Sequence, residues 1–257
     1  SGSPQIVDRA RIAKTLDGCG SIGQDWSMKL RELIDLTGAE LGMKASEVNT
    51  RARRIREEEF LRSGGRGTGA PDMQATDVSA MLLGMVSMAD PVRAGADLSE
   101  LNRATFFGCE WTDLHVASWR GADRLDTGAF KHAGAPPPMF DINGAESSPL
   151  GGLAKALELA AERPDVSIDY LEHRADRDGR TIEIVWLQDW AREEAAEAYI
   201  AATGDPTDRI RFAKGDGVSR WEIAVEYSLR EPQREQRERV LRIPSEPINR
   251  IVQEALA

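Results

Sequence analysis

Apolar residues recur at helical spacing through the first hundred positions and alternate with polar ones through much of the last hundred. Ile6, Ala10, Ala13 and Leu16 predict a helix over about Gln5 to Leu16, and Leu30, Leu33, Ile34 and Leu41 a second over about Met28 to Leu41. Gly42 fits the position just past a helix end, and Ser46 is a plausible N-cap for a third helix, about Ser46 to Leu61. Val48, Ala52 and Ile55 form the buried stripe of that third helix. Four glycines in the six positions from Gly64 to Gly69 exclude regular structure, so Ser63 to Pro71 reads as a loop. Thr76 or Asp77 then caps an apolar helix through about Met88, and Asp90-Pro91 restarts a shorter one to about Leu101.

The region from Phe106 to Trp119 is dense in aromatics without a clear period, and Gly121 to Pro149, with its Pro136-Pro137-Pro138 run, reads as a linker or long loop. Beyond it come a helix near Leu153 to Glu162 and two alternating stretches, Val166 to Tyr170 and Thr181 to Trp186. The stretches are joined through Asp176-Arg177-Asp178-Gly179, whose Asp-Gly is a hairpin signal. A helix of about Ala191 to Ala202, strands near Trp221 to Leu229 and Arg239 to Ile243, and a terminal helix of about Pro247 to Leu256 complete an α+β half with an antiparallel sheet.

Charge changes this picture by region. The 257-residue chain has a net charge of −10, which by itself disfavours a polyanionic partner. From Lys44 to Arg66, however, seven basic residues face four acidic ones, whereas Gly151 to Ala257 holds 16 basic against 22 acidic. A basic island on an acidic chain suggests one anion-binding surface attached to a body with another task. With no apolar run near the 18 residues that a membrane span needs, the expectation is a cytoplasmic protein without a membrane partner. Cys19 and Cys109 lie far apart and no Cys or His stands at metal-ligand spacing, so neither a disulfide framework nor a metal site is expected.

The sharpest local pattern is Leu36-Thr37-Gly38-Ala39-Glu40-Leu41-Gly42-Met43-Lys44-Ala45-Ser46-Glu47-Val48, followed by Arg51-Ala52-Arg53-Arg54-Ile55-Arg56-Glu57 and Gly64-Gly65-Arg66-Gly67. A short helix, a tight turn and a basic helix make the organisation of a helix-turn-helix. The pattern resembles the winged helix-turn-helix of bacterial regulators. It is also similar to phage and prophage proteins of proteobacteria that pair it with a Gly-Arg-Gly-x-Gly-Ala-Pro stretch and an apolar helix. The resemblance runs from about Met28 to Ala89 and implies a DNA-binding module with the glycine loop as its wing, although Phe60-Leu61-Arg62 is a short first wing strand and Asp72-Met73 no strand.

With Val48, Ala52 and Ile55 turned inward, steps of about 100° place Ser46, Asn49, Thr50, Arg53, Arg54 and Glu57 on or near the opposite face. Asn49 and Arg53 are the expected base readers, and Lys44, Arg51, Arg54, Arg56 and Arg66 the expected phosphate contacts. The competing reading is a solvated surface helix whose arginines pair with Glu57, Glu58 and Glu59. Gly65-x-Gly67-x-Gly69 lacks the Gly-Lys-Ser/Thr ending of a phosphate-binding loop, and a wing or hinge describes it better than a nucleotide site. Met73, Met81, Met85 and Met88 suit helix packing better than peptide binding, and His115, His132 and His173 have no nucleophile context.

These readings combine into an α+β protein in three parts. Residues 4–104 form a helical domain with a winged helix-turn-helix, 105–149 an aromatic segment and Gly/Pro-rich linker, and 150–257 an antiparallel-sheet domain suited to dimerisation. The expected function is sequence-specific binding of double-stranded DNA by a non-enzymatic phage or prophage transcriptional regulator, without cofactor, acting as a homodimer or higher homo-oligomer. The alternatives are a DNA-recognition adaptor of a phage packaging machine and an enzyme carried by the C-terminal part.

Overall fold

A computed structural model describes residues 28–62, 69–87, 89–113, 148–176, 179–191, 218–229 and 239–256. Helix α1, Leu30–Glu40, opens with the Lys29 backbone N–H donating to the Glu32 carboxylate at 2.7 Å and buries Leu33 and Thr37. Gly42, at φ +61°, takes the left-handed conformation that the sharp exit from a helix favours. Helix α2, Ala45–Glu57, follows a four-residue turn and buries Val48, Arg51, Ala52 and Ile55. Ser46 is not its N-cap: Lys44 occupies that position without a side-chain bond, and the Ser46 carbonyl accepts the Thr50 hydroxyl instead. The helix also stops before Leu61. Glu59, at φ +64°, turns the chain back and drops Leu61 into the core.

Helix α3, Ala75–Val86, is buried on nearly every side. The Asp77 carboxylate accepts the backbone N–H groups of Gln74 and Arg62, each at 2.9 Å, so it joins the chain on both sides of the glycine loop. Asp90 accepts from the Val92 N–H at 3.0 Å and starts a 3-10 turn, Pro91–Arg93, that runs into α4, Ala94–Leu101. Helix α5, Pro149–Glu162, is capped by the Ser148 hydroxyl, and α6, Ser245–Ala255, closes the described chain.

Five antiparallel strands form one sheet in the order β1-β4-β3-β2-β5: β1 Thr105–Asp113, β2 Val166–Asp176, β3 Gly179–Ala191, β4 Val218–Leu229 and β5 Arg239–Pro244. Alternation along β2, β3 and β4 turns Ile168, Leu171, Ile182, Ile184, Trp186, Ile223, Val225 and Tyr227 into the core. Helices α5 and α6 pack against this sheet, α5 also against α3 and α6 against α1. No described helix is long and apolar enough to cross a membrane.

The boundary expected between residues 104 and 150 does not separate two cores among the described residues. Thr105–Asp113, placed above in the aromatic segment ahead of the linker, is an edge strand paired with β4. The Ser79 hydroxyl donates to the Leu150 carbonyl at 2.8 Å, Arg180 on β3 pairs with Asp97 on α4 at 2.8 Å, and one continuous apolar cluster runs from Leu33 to Leu256. The cause lies in α3. A helix apolar all round needs cover on every side, and α1, α2 and α4 leave one side to α5 and the sheet. Ala191 ends β3 rather than starting a helix. The rest of the helix expected to Ala202, the helix expected over Gln5 to Leu16, and the linker from 114 to 147 lie outside the described residues.

The α2–α4 contact allows a stability test. A Cβ on Gly95 would stand 2.3 Å from the Arg54 carbonyl oxygen and 2.7 Å from its carbon, both backbone atoms. Gly95→Ala must therefore push the helices apart, with an expected cost of about 1 to 3 kcal/mol in chemical denaturation. Unchanged stability would show that α4 does not rest on α2.

Candidate nucleic-acid interface

Two helices and the turn over residues 41–44 carry the basic island, and the structure divides its arginines into distinct groups. Arg51 is not on the surface. Only 7% exposed, it donates from Nη1 to the carbonyls of Gly84 at 3.1 Å and Ser87 at 3.4 Å, from Nη2 to Ala89 at 3.2 Å, and from Nε to Glu47 at 3.1 Å. Its expected role as a phosphate contact is overturned, because residue 51 stands three after Val48 and four before Ile55, on the buried stripe itself. There it satisfies carbonyls at the C-terminal end of α3, where a helix leaves its last acceptors unpaired and favours positive charge.

His173 on β2 approaches the same helix end from the sheet. Fully buried, it lies with Nδ1 3.2 Å from the Val86 carbonyl, to which it donates, while Nε2 accepts from the Arg180 Nε–H at 3.2 Å. Arg180 continues to Asp97 at 2.8 Å and Glu100 at 3.3 Å, and the Ser87 hydroxyl donates to Asp97. Burial first, and the Arg180 charge second, push the His173 pKa down to about 4, against the opposing pull of the Val86 carbonyl and Asp97. The imidazole is therefore neutral at pH 7, and both its nitrogens are satisfied in that form.

Arg54 sits on the α2–α4 side, where its Nη1 bonds Glu57 at 2.7 Å. That bond is the main cause that holds the Glu57 carboxyl below the usual carboxylate range. Arg53 reaches the same carboxylate through Nε at 3.2 Å but remains exposed, and solvent-screened pairs of this kind are weak, so a ligand can displace them. Arg56 is exposed and has no ion-pair partner among the described residues. Lys44 and Ser46 are exposed at the start of α2.

Asn49 and Thr50 are half-buried, and each spends a donor on its own helix, Asn49 Nδ2 to the Ala45 carbonyl at 2.6 Å and Thr50 Oγ1 to Ser46 at 2.8 Å. The structure thus brings Asn49, Thr50, Arg53 and Arg56 to the wall of one groove of about 320 Å³ between α1 and α2, whose other lining is Leu30, Ile34 and Ala52.

Arg66 and the rest of the glycine loop, 63–68, lie outside the described residues. At its edges, among the described residues, Lys29 forms an isolated β bridge with Asp72, with the Met73 N–H donating to the Met28 carbonyl at 2.9 Å. Lys29 Nζ also donates to the Ala70 carbonyl at 2.8 Å and Asp72 at 2.6 Å, so the end of the loop is tied to the start of α1. Elsewhere, Met73, Met81 and Met85 are core residues, and among the described residues no group of three or more His, Cys, Asp or Glu side chains is disposed to hold a metal ion. Comparisons with protein-family models, curated proteins and solved structures found no match.

Proposed function

We propose that this protein binds double-stranded DNA through the α1–turn–α2 unit, with the exposed face of α2 in the major groove, as a regulator of phage or prophage type that acts as a homo-oligomer. The observation that carries this reading is the gathering of Asn49, Thr50, Arg53 and Arg56 on one accessible wall of α2, while Val48, Arg51 and Ile55 hold another side of the helix in the core and Ala52 lies between the two. A helix fits the major groove, and a rigidly seated helix positions its donors without added ordering cost. Lys44 at the helix start and Arg56, without an ion-pair partner among the described residues, supply charge that a phosphate can take up.

The test is binding of the full chain to a labelled library of genomic fragments. Affinity is expected to fall steeply with salt, because each neutralised phosphate releases counterions, and Lys44→Ala is expected to make that slope shallower by about one unit. Arg51→Ala acts in the opposite way to a phosphate contact: its effect is on folding and not on the salt slope. No binding at about 50 mM salt, where electrostatic attraction is strong, overturns the proposal.

A further inference from the structure

The groove between α1 and α2 has walls of two kinds, and together they specify what it accepts. Its floor is carbon, from Leu30 and Ile34 on α1 and Ala52 on α2. Its rim on α2 is polar but unevenly supplied with donors. Asn49 has committed one amide hydrogen to the Ala45 carbonyl and Thr50 its hydroxyl hydrogen to Ser46. Asn49 keeps Oδ1 and its second Nδ2 hydrogen, on an amide whose plane is held by its own helix. The guanidinium groups of Arg53 and Arg56 are not so committed: Arg53 touches Glu57 through Nε at an exposed site, and Arg56 is without an ion pair among the described residues.

A pair of guanidinium forks matches the base edge with two acceptors side by side, which in the major groove is guanine, through O6 and N7. Residues three apart on a helix have Cβ atoms about 5 to 6 Å apart, and two long arginine side chains starting from that spacing can converge on base pairs about 3.4 Å apart. The apolar group that the major groove presents to a carbon floor is the C5-methyl of thymine. We infer, resting on the DNA reading above, that Arg53 and Arg56 read two guanines on neighbouring steps and that Leu30 and Ile34, both partly exposed, receive the methyl of an adjacent thymine. The preferred site is then rich in G·C pairs with thymine beside guanine.

The experiment uses the full chain and duplexes that it selects from a random library. Each selected duplex is remade with 7-deazaguanine for guanine, which removes N7 and keeps base pairing, and separately with uracil for thymine, which removes only the methyl. Affinity is expected to fall at least about tenfold on deazaguanine and about threefold on uracil. Arg53→Ala is expected to abolish the penalty at one guanine and Arg56→Ala at its neighbour, with melting temperatures like that of the parent. If the parent binds selected duplexes and deazaguanine costs less than about twofold, the guanine assignment falls while DNA binding stands. A penalty that persists in both single variants removes the arginines as the readers, and uracil without effect removes the floor's role. If no duplex is selected and no salt-dependent binding is seen, the DNA reading itself falls and this inference with it.

Discussion

Arg51→Ala is expected to lose about 3 to 5 kcal/mol of folding stability, the range for removing one partner from a buried charged network. The change deletes the only described donor to the carbonyls of Ser87 and Ala89 and uncovers that of Gly84, all at the end of the helix that forms the centre of the core. Buried acceptors left without a donor each forfeit the hydration that they gave up on folding. Glu47, half-buried beside Arg51, loses its partner at the same time. Arg53→Ala and Arg56→Ala, on exposed positions of the same helix, are expected to stay within about 0.5 kcal/mol of the parent. Urea denaturation of the three variants measures the contrast. An Arg51→Ala protein as stable as Arg56→Ala would show that the α3 carbonyls find water or other donors, and the anchoring role would be abandoned.

Acid is expected to destabilise the protein through His173 on the opposite side of the same helix end. The folded-state pKa of about 4 lies below the ordinary 6.5 of the unfolded chain, so the unfolded state takes up a proton first. Above about pH 7 both states hold a neutral imidazole, and the group contributes no pH dependence. As pH falls from 6.5 towards 4, stability drops by about 1.4 kcal/mol per unit, or about 3 kcal/mol across the window, and levels off below the folded value. The physical cause is burial first, and then the Arg180 guanidinium that faces Nε2, both of which disfavour a charged imidazolium. Carboxylates elsewhere add their own acid dependence, so the informative quantity is the difference between the parent and His173→Gln. That difference should be constant above pH 7 and shift by about 3 kcal/mol in favour of the variant by pH 4. A difference independent of pH would mean that His173 titrates normally in the folded protein.

Much of this architecture was legible in the spacing of apolar residues. Period-3.6 stripes located α1, α2, α3 and α5 to within a few residues, and alternation together with Asp178-Gly179 located β2 and β3. Their ends were less legible. Glu59 ended α2 through a left-handed backbone that no local pattern announces, and β3 ran on through Asp189, Trp190 and Ala191 because β4 offers those residues partners. Thr105–Asp113 showed no clear period, yet it is a strand, since pairing with β4 depends on residues more than a hundred positions away.

For the candidate site, the basic island, the two helices and their turn could be read directly from residues 30 to 57, because they rest on local spacing and composition. The assignment of its arginines could not. Arg51 and Arg53 are two residues apart and chemically identical. Only the stripe of Val48, Ala52 and Ile55 hinted that the first points inward, and only the end of α3, brought from more than thirty positions away, supplies the carbonyls that make burial of its charge tolerable. The groove, the seating of Asn49 and Thr50 on their own helix and the junction of His173, Arg180 and Asp97 likewise depend on side-chain directions and long-range approach. The sequence by itself determined most of the helices, the β2–β3 hairpin and where positive charge concentrates, since these follow from neighbours along the chain. Tertiary structure decided which of those charges are spent inside the protein and which face out to solvent, since burial and hydrogen-bond partners are set by residues distant in sequence.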